Sequence, residues 1–265
     1  MIPVTLLQLS DCHLTPLAGE LFRGVDPRQT LAQVIQHVQQ SGREFDHLLL
    51  SGDLVHHGDA RVYQELLQQL AVLDLPVTWL AGNHDELQAM QQAADLDHFC
   101  VSLGSWQLLC LDSNHAPDGR GSGAIAPHTL ERLSRQLAAD RRFTLLALHH
   151  NPLASGTEWQ DQIMLSNAPE LWQCLVQAPH CKAIICGHLH QPLHWQHQGV
   201  SVWSAPSTAV QFCPGSAQVE VAQQPPESWP GYRWYQLWPD GRIDAHFESV
   251  PLRTADQGES CPNRC

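Results

Sequence analysis

Five short apolar runs in this chain each lead into aspartate, asparagine or histidine, and that repetition narrows the available folds more than any other feature. The run at Val4–Leu9 leads into Asp11, Cys12 and His13; that at 47–50 into Gly52 and Asp53; that at Val77–Leu80 into Gly82, Asn83, His84 and Asp85. Residues 144–148 precede His149, His150, Asn151 and Pro152, and residues 183–186 precede Gly187, His188, Leu189 and His190. Continuous apolar runs this short read as buried strands, and 106–111 reads as one more. Between them, apolar residues recur at helical spacing: Leu31, Val34, Ile35 and Val38 mark a helix over 27–40, and Val62, Leu66, Leu70 and Leu73 one over 60–73. Asp26 is the expected N-cap of the first and Gly42 its stop, with further helices over 128–139 and from Asn167, as cap, to 177. Strands alternating with helices give an α/β layered sheet with helices outside it, not a bundle. After Gly187 the texture turns β-rich, with strands expected at 200–204 and 209–212 and a hairpin of 232–238 and 242–250 around Pro239, Asp240 and Gly241. Residues 1–250 are expected to form one domain, and 251–265 a flexible tail.

An open α/β sheet binds ligands beyond the carboxyl ends of its strands, so the five polar ends can converge on one crevice. In extended chain, residues i and i+2 face the same way, which pairs Asp11 with His13 and His188 with His190. Asp11, His13, Asp53, Asn83, His149, His188 and His190 make a mixed oxygen and nitrogen donor set. It suits Mn, Fe or Zn rather than a thiolate-bound ion. Seven donors are too many for one ion with an open position, but fit two ions sharing a carboxylate. Two metals roughly 3.5–4 Å apart are a device for in-line displacement at phosphorus. They also let an acidic chain hold an anion. His84, beside Asn83, is placed to hydrogen-bond a phosphate oxygen or to protonate a leaving alkoxide. A second Asp-x-His, at Asp244 and His246, falls in the expected hairpin without companions and reads as structural.

Composition removes competing classes. Lys+Arg number 14 against 27 Asp+Glu, a net charge of −13, and Lys182 is the only lysine. A polybasic nucleic-acid or membrane-surface binder is therefore not expected. The 9 cysteines include no Cys-x-x-Cys pair, and free thiols in that number point to a reducing cytoplasm. The first residues lack the basic start of a signal peptide, and no run approaches the about 18 apolar residues of a membrane span. Around the crevice, His56, His57 and Arg23 are weighed as cleft-facing or surface groups, and Asp112 as a support behind a ligand histidine. Trp159, Trp195 and Trp203 are weighed as purine-stacking groups against core or loop anchors.

Taken in order over residues 11–190, these motifs resemble the full set of the calcineurin-like metallophosphoesterases. The resemblance implies a four-layer α/β/β/α sandwich with two divalent metal ions. One would be held by Asp11, His13, Asp53 and His190, the other by Asp53, Asn83, His149 and His188, with Asp53 as bridge and His84 on the scissile phosphate. His150 matches a position behind the ligands. Within the family the chain is similar to the bacterial class III cyclic nucleotide phosphodiesterases, on size and on the stretches 149–152 and 206–212. That implies hydrolysis of 3′,5′-cyclic AMP to 5′-AMP by a metal-bridging hydroxide, lowering intracellular cyclic AMP, with Fe2+ or Mn2+ bound. Phosphate contacts are implied for His13, Asp53, Asn83, His84 and His190. The expected partner is a small cyclic nucleotide, with no nucleic acid and no membrane. The alternative is another small phosphoester on the same scaffold, such as a glycerophosphodiester or a nucleotide pyrophosphate. A non-catalytic scaffold fits less well, because no ligand position is missing.

Overall fold

Consecutive residues along the central strands face different cores, because side chains alternate across a strand. β1 (Val4–Leu9) sends Leu7 and Leu9 one way and Leu6 the other, and β2 (His47–Ser51) divides Leu48 and Leu50 from Leu49 in the same manner. In this computed structural model, which describes residues 2–252, those strands join β3 (Val77–Leu80), β10 (Gly231–Leu237) and β11 (Ile243–Ser249) in a sheet ordered β11-β10-β1-β2-β3. β1, β2 and β3 are parallel, and β10 and β11 form the expected antiparallel hairpin. A second sheet, ordered β4-β5-β6-β7-β9-β8, contains β4 (Cys100–Leu103), β5 (Trp106–Cys110), β6 (Phe143–Ala147), β7 (Cys181–Cys186), β8 (His194–His197) and β9 (Val200–Ser204). Its four central strands are parallel and its edges, β4 and β8, antiparallel.

Helices α1 (Pro27–Gln40), α2 (Ala60–Leu70) and α3 (Leu87–Ala93) cover the first sheet through Leu31, Val34, Leu66 and Met90. Helix α4 (Pro127–Ala139) and, after the single-turn α5 (Glu158–Asp161), helix α6 (Ala168–Leu175) cover the second through Leu133, Leu137 and Leu171. Between the sheets Leu6, Leu49 and Leu80 meet Leu108, Leu145 and Ile185. Three apolar interfaces thus separate four layers, α/β/β/α, as the resemblance implies. Asp26 caps α1 as expected, accepting from the Arg28 and Gln29 amides.

Several expectations need correction. Residues 209–212 form no strand: Phe212 alone pairs, with Val221, while the Val210 carbonyl and the Ser207 side chain are engaged at the strand ends. The helix expected over 60–73 is α-helical only to Leu70, tightens into a 3-10 turn at Ala71–Leu73, and stops at Asp74 in the left-handed region. Asn167 stands at the cap position of α6 but does not cap it; its amide brackets Ile125, accepting from the backbone N–H and donating to the carbonyl. The edge strands β4 and β8 and helix α3 were not anticipated, since an exposed edge needs no apolar run. Most of the expected tail, with Cys261 and Cys265, lies outside the described residues. No described helix is long and apolar enough to cross a membrane.

Candidate metal centre

The polypeptide leaves β1, β2 and β7 through left-handed residues. Asp11, His13, Asp53, His188 and His190 all adopt positive φ, between 47° and 69°. Asp11 and His13 therefore share a face because both residues are left-handed, as do His188 and His190, and the extended-chain argument for these pairs is corrected. Backbone bonds lock the loops together: the Asp11 amide donates to Gly52 O, the His13 amide to Asp53 O and the Gly187 amide to His149 O. Ser207 Oγ donates to Asp11 O at 2.7 Å, and the His188 amide donates to the Asp11 carboxylate at 3.0 Å.

The seven candidate ligands meet at one place. His190 Nε2 lies 3.4 Å from Asp11 Oδ1 and 3.1 Å from His13 Nε2. Asp53 Oδ2 lies 3.7 Å from His13 Nε2 and 3.4 Å from His149 Nε2, between two sets of donors, while Asp53 Oδ1 accepts from the His84 amide. The His149 and His188 rings are 5.2 Å apart. Asp11 and His149 are fully buried beneath a cleft of about 690 Å³, whose lining includes His13, Asp53, Asn83, His84, His188 and His190. Two rings are held from behind: His149 Nδ1 faces Ser51 O at 2.9 Å and His190 Nδ1 faces Val210 O at 2.7 Å, so each turns Nε2 inward.

Burial holds His13 well below the usual imidazole range and takes His188 to about 3, so both keep a lone pair. For Asp53 burial is outweighed by His149 and His13, and the carboxylate lies well below its usual range. Burial also opposes protonation of His149, but the Asp53 charge prevails and lifts it to about 9. A cation would displace that proton. Among the described residues, buried His149 Nε2, His188 Nε2, His13 Nδ1 and Asn83 Oδ1 have no hydrogen-bond partner. Unpartnered buried donors and acceptors are costly, and that of His149 stands beside the Asp11 and Asp53 carboxylates. That is the environment divalent ions require, and the donor set fits them.

His150 stands behind the ligands: its Nδ1 meets Ser113 Oγ at 2.8 Å and its Nε2 meets Gly121 O at 3.1 Å. Asp112 corrects expectation, because it is exposed and accepts from Asn114 rather than orienting a histidine. The second Asp-x-His is structural: Asp244 accepts from Trp238 Nε1, and His246 stacks on Trp234. Of the three tryptophans, Trp159 lines the cleft; Trp203 stacks on His194 and Trp195 packs on the second sheet's core. Two groups were given no role from sequence. Asp85 accepts from the Leu54, Val55 and Gly82 amides and from Tyr63 Oη, tying the loop after β2 to that after β3. Phe22 and Phe212 stack on His13 and His190, with the Arg23 guanidinium 5.6 and 5.4 Å from their ring centres. Only the aromatic type of these two, next to a motif, could have signalled them.

Residues 4–192 match the family model described as calcineurin-like phosphoesterase. The chain belongs to that family, and its two-sheet sandwich is the family's fold. Over 251 residues it is 34% identical to the 3′,5′-cyclic adenosine monophosphate phosphodiesterase CpdA of Pseudomonas aeruginosa, covering 93% of this chain and 90% of that protein. It is 36% identical over 246 residues to the CpdA of Escherichia coli K12, covering 91% and 87%. Among solved structures, a dimetal phosphatase from Danio rerio superposes with a TM-score of 0.64 at 13% identity, covering 95% of this chain and 100% of that one.

Proposed function

We propose that this chain is a cytoplasmic phosphodiesterase that hydrolyses 3′,5′-cyclic AMP to 5′-AMP, its catalytic domain spanning residues 1–250. Two divalent ions, Fe2+ or Mn2+, would be held by Asp11, His13, Asp53 and His190 and by Asp53, Asn83, His149 and His188. When bound, such a pair supplies Lewis acidity toward the phosphoryl oxygens and an acidified water at neutral pH. His149 and His190 present Nε2 because their Nδ1 atoms are anchored on carbonyls. Asp53 lies between both donor sets and fixes the His84 backbone through Oδ1. His84 has Nδ1 turned to His57 Nε2, which leaves Nε2 to hydrogen-bond the phosphate and protonate the departing 3′-oxygen. The cleft volume suits a mononucleotide. Phe22, Phe212 and Arg23 offer its base an aromatic and cationic rim.

The observation that carries the substrate is the similarity to cyclic AMP phosphodiesterases over 93% of the chain. The seven described cysteines are free thiols, which supports the cytoplasm. Phosphorus NMR of cyclic AMP with manganese-loaded protein, beside a bis-aryl phosphodiester, tests the reading. Appearance of 5′-AMP is expected. Cleavage of the aryl diester with cyclic AMP untouched discards the substrate, and inertness toward both with metal bound discards the activity.

A further inference from the structure

Beside the seven ligands lies a second histidine set that has no acidic member. His56 and His57 follow β2, and His84 follows β3. The His57 amide donates to His84 O, which holds the two loops together. One ring nitrogen from each of the three histidines lies within 4.8 Å of those of the other two. The ring centres are 4.6, 4.8 and 5.1 Å apart, close to the 4.7 to 5.2 Å among His149, His150 and His188. His57 Nε2 and His84 Nδ1 are 3.2 Å apart. Nitrogen ligands about 2.0–2.1 Å from a tetrahedral zinc ion stand roughly 3.3–3.4 Å from each other, so this pair already spans one edge of such a site. A hydrogen bond between His57 and His84 explains that contact but not the third ring. His56 Nδ1 is buried and has no partner.

We propose that His56, His57 and His84 form a third metal site, for a borderline transition ion such as Zn2+, and that its occupancy inhibits the enzyme by drawing the His84 ring toward the ion through Nδ1 and so taking its Nε2 out of line with the phosphate. The inhibition, though not the site, rests on the function proposed above. Three imidazoles without carboxylate or thiolate select zinc, copper or nickel over magnesium or calcium. The set carries no negative charge and adjoins the ligands of two other cations. It therefore fills last, as an inhibitory site rather than a resident one. Exposed His57 gives the ion entry from solvent, and a water completes its coordination.

Zinc titration of the full chain already holding two zinc ions, counted by elemental analysis after equilibrium dialysis, tests this without exchanging the resident metals. The wild type is expected to take a third equivalent and to lose about tenfold or more of its turnover as it does. H57Q, and separately H56Q, should stop at two equivalents and hold their own two-zinc activity through the same range. A wild type that saturates at two equivalents, or variants that still take the third, overturns the site. Third-equivalent binding with no loss of turnover overturns the inhibition alone. A protein inert toward cyclic AMP still reports the third equivalent, so the two readings fail separately. Should H56Q lose a resident ion, exposed H57Q decides, and Co2+ added to the two-zinc proteins reports nitrogen ligation by its visible spectrum.

Discussion

Gly187→Ala isolates the close packing beneath the metal centre. Gly187 does not have a left-handed backbone, so its need for glycine is purely one of space. A methyl there would overlap Ser10 Oγ and lie 2.8 Å from Asp11 Oδ2 and 3.0 Å from Ser51 O. Ordinary contact begins at 3.4 Å, so the Asp11 carboxylate must retreat by about 0.6 Å even after the Ser10 hydroxyl swings away. The Asp11 carboxylate is held by the His188 amide and faces His190 Nε2, so its retreat disturbs both neighbours. Metal sites keep ligand distances within about 0.2 Å, which a 0.6 Å shift exceeds. The expected cost is about 1–3 kcal/mol in stability from overpacking. Metal affinity should fall by about 10–100-fold, the scale for a displaced support. Urea unfolding and metal retention on graded chelation measure the two. The double variant Ser10→Ala with Gly187→Ala removes the first overlap and keeps the second, so stability should partly return and metal affinity should not. Wild-type metal retention in Gly187→Ala refutes the reasoning. Full recovery in the double variant shows that Ser10, not Asp11, transmits the effect.

Asp53→Asn removes the charge placed between both donor sets, and elemental analysis should find about one ion or fewer per chain instead of two. Asn83→Ala and His84→Ala should each cut turnover by about 100-fold or more with the unfolding midpoint little changed; near-wild-type turnover in both refutes the proposed roles. Tyr63→Phe loses the bond from Oη to Asp85 and strands the Glu86 amide that donates to Oη, an expected loss of about 1–3 kcal/mol in urea unfolding. Chelated protein should lose stability on acidification. Burial lowers His47 and His150 and takes His188 to about 3, so below the ordinary pKa near 6.5 the unfolded chain binds more protons than the folded one, and unfolding gains. His149, raised to about 9 by the Asp53 charge, and Asp85, raised to about 6 by burial, oppose this but are two groups against several. Thermal midpoints measured in chelator at pH 7.5 and 5.5 check the sign, which an unchanged or higher midpoint at 5.5 would contradict.

The strands that build the site were legible because burial on both faces leaves an unbroken apolar run, as in β2 and β7. The candidate ligands were legible because their residue types carry the chemistry and recur at five strand ends. The edges β4 and β8 were not, since their exposed residues are free to be polar: β8 reads His-Trp-Gln-His. Residues 209–212 look like a strand because Ala209, Val210 and Phe212 are apolar, yet Ala209 and Val210 are buried by packing with Phe22, and Phe212 by the rings of His190 and Trp159, not by a sheet. Asp85 could be quoted from its motif but not assigned, because all its partners but Tyr63 Oη are backbone amides, which carry no residue signature.

The left-handed ligands explain why spacing reached the right pairs by the wrong geometry. A residue at positive φ costs roughly 1–2 kcal/mol, less for aspartate and histidine, which tolerate the region better than most. Five such residues in one site are a sizeable charge against a net stability of about 5–15 kcal/mol. Part is offset by the bonds that join the two loops, from the Asp11 amide to Gly52 O and from the His13 amide to Asp53 O. The return is geometric. A strand running straight on would also keep Asp11 and His13 on one face, but would carry them onward along the strand axis. A reversal directly after the strand instead turns Asp11 and His13 toward His190, which arrives from the other sheet by a reversal of its own. The strain and the convergence thus have one origin, and ions bound between the sheets would return stability to the loops that hold them.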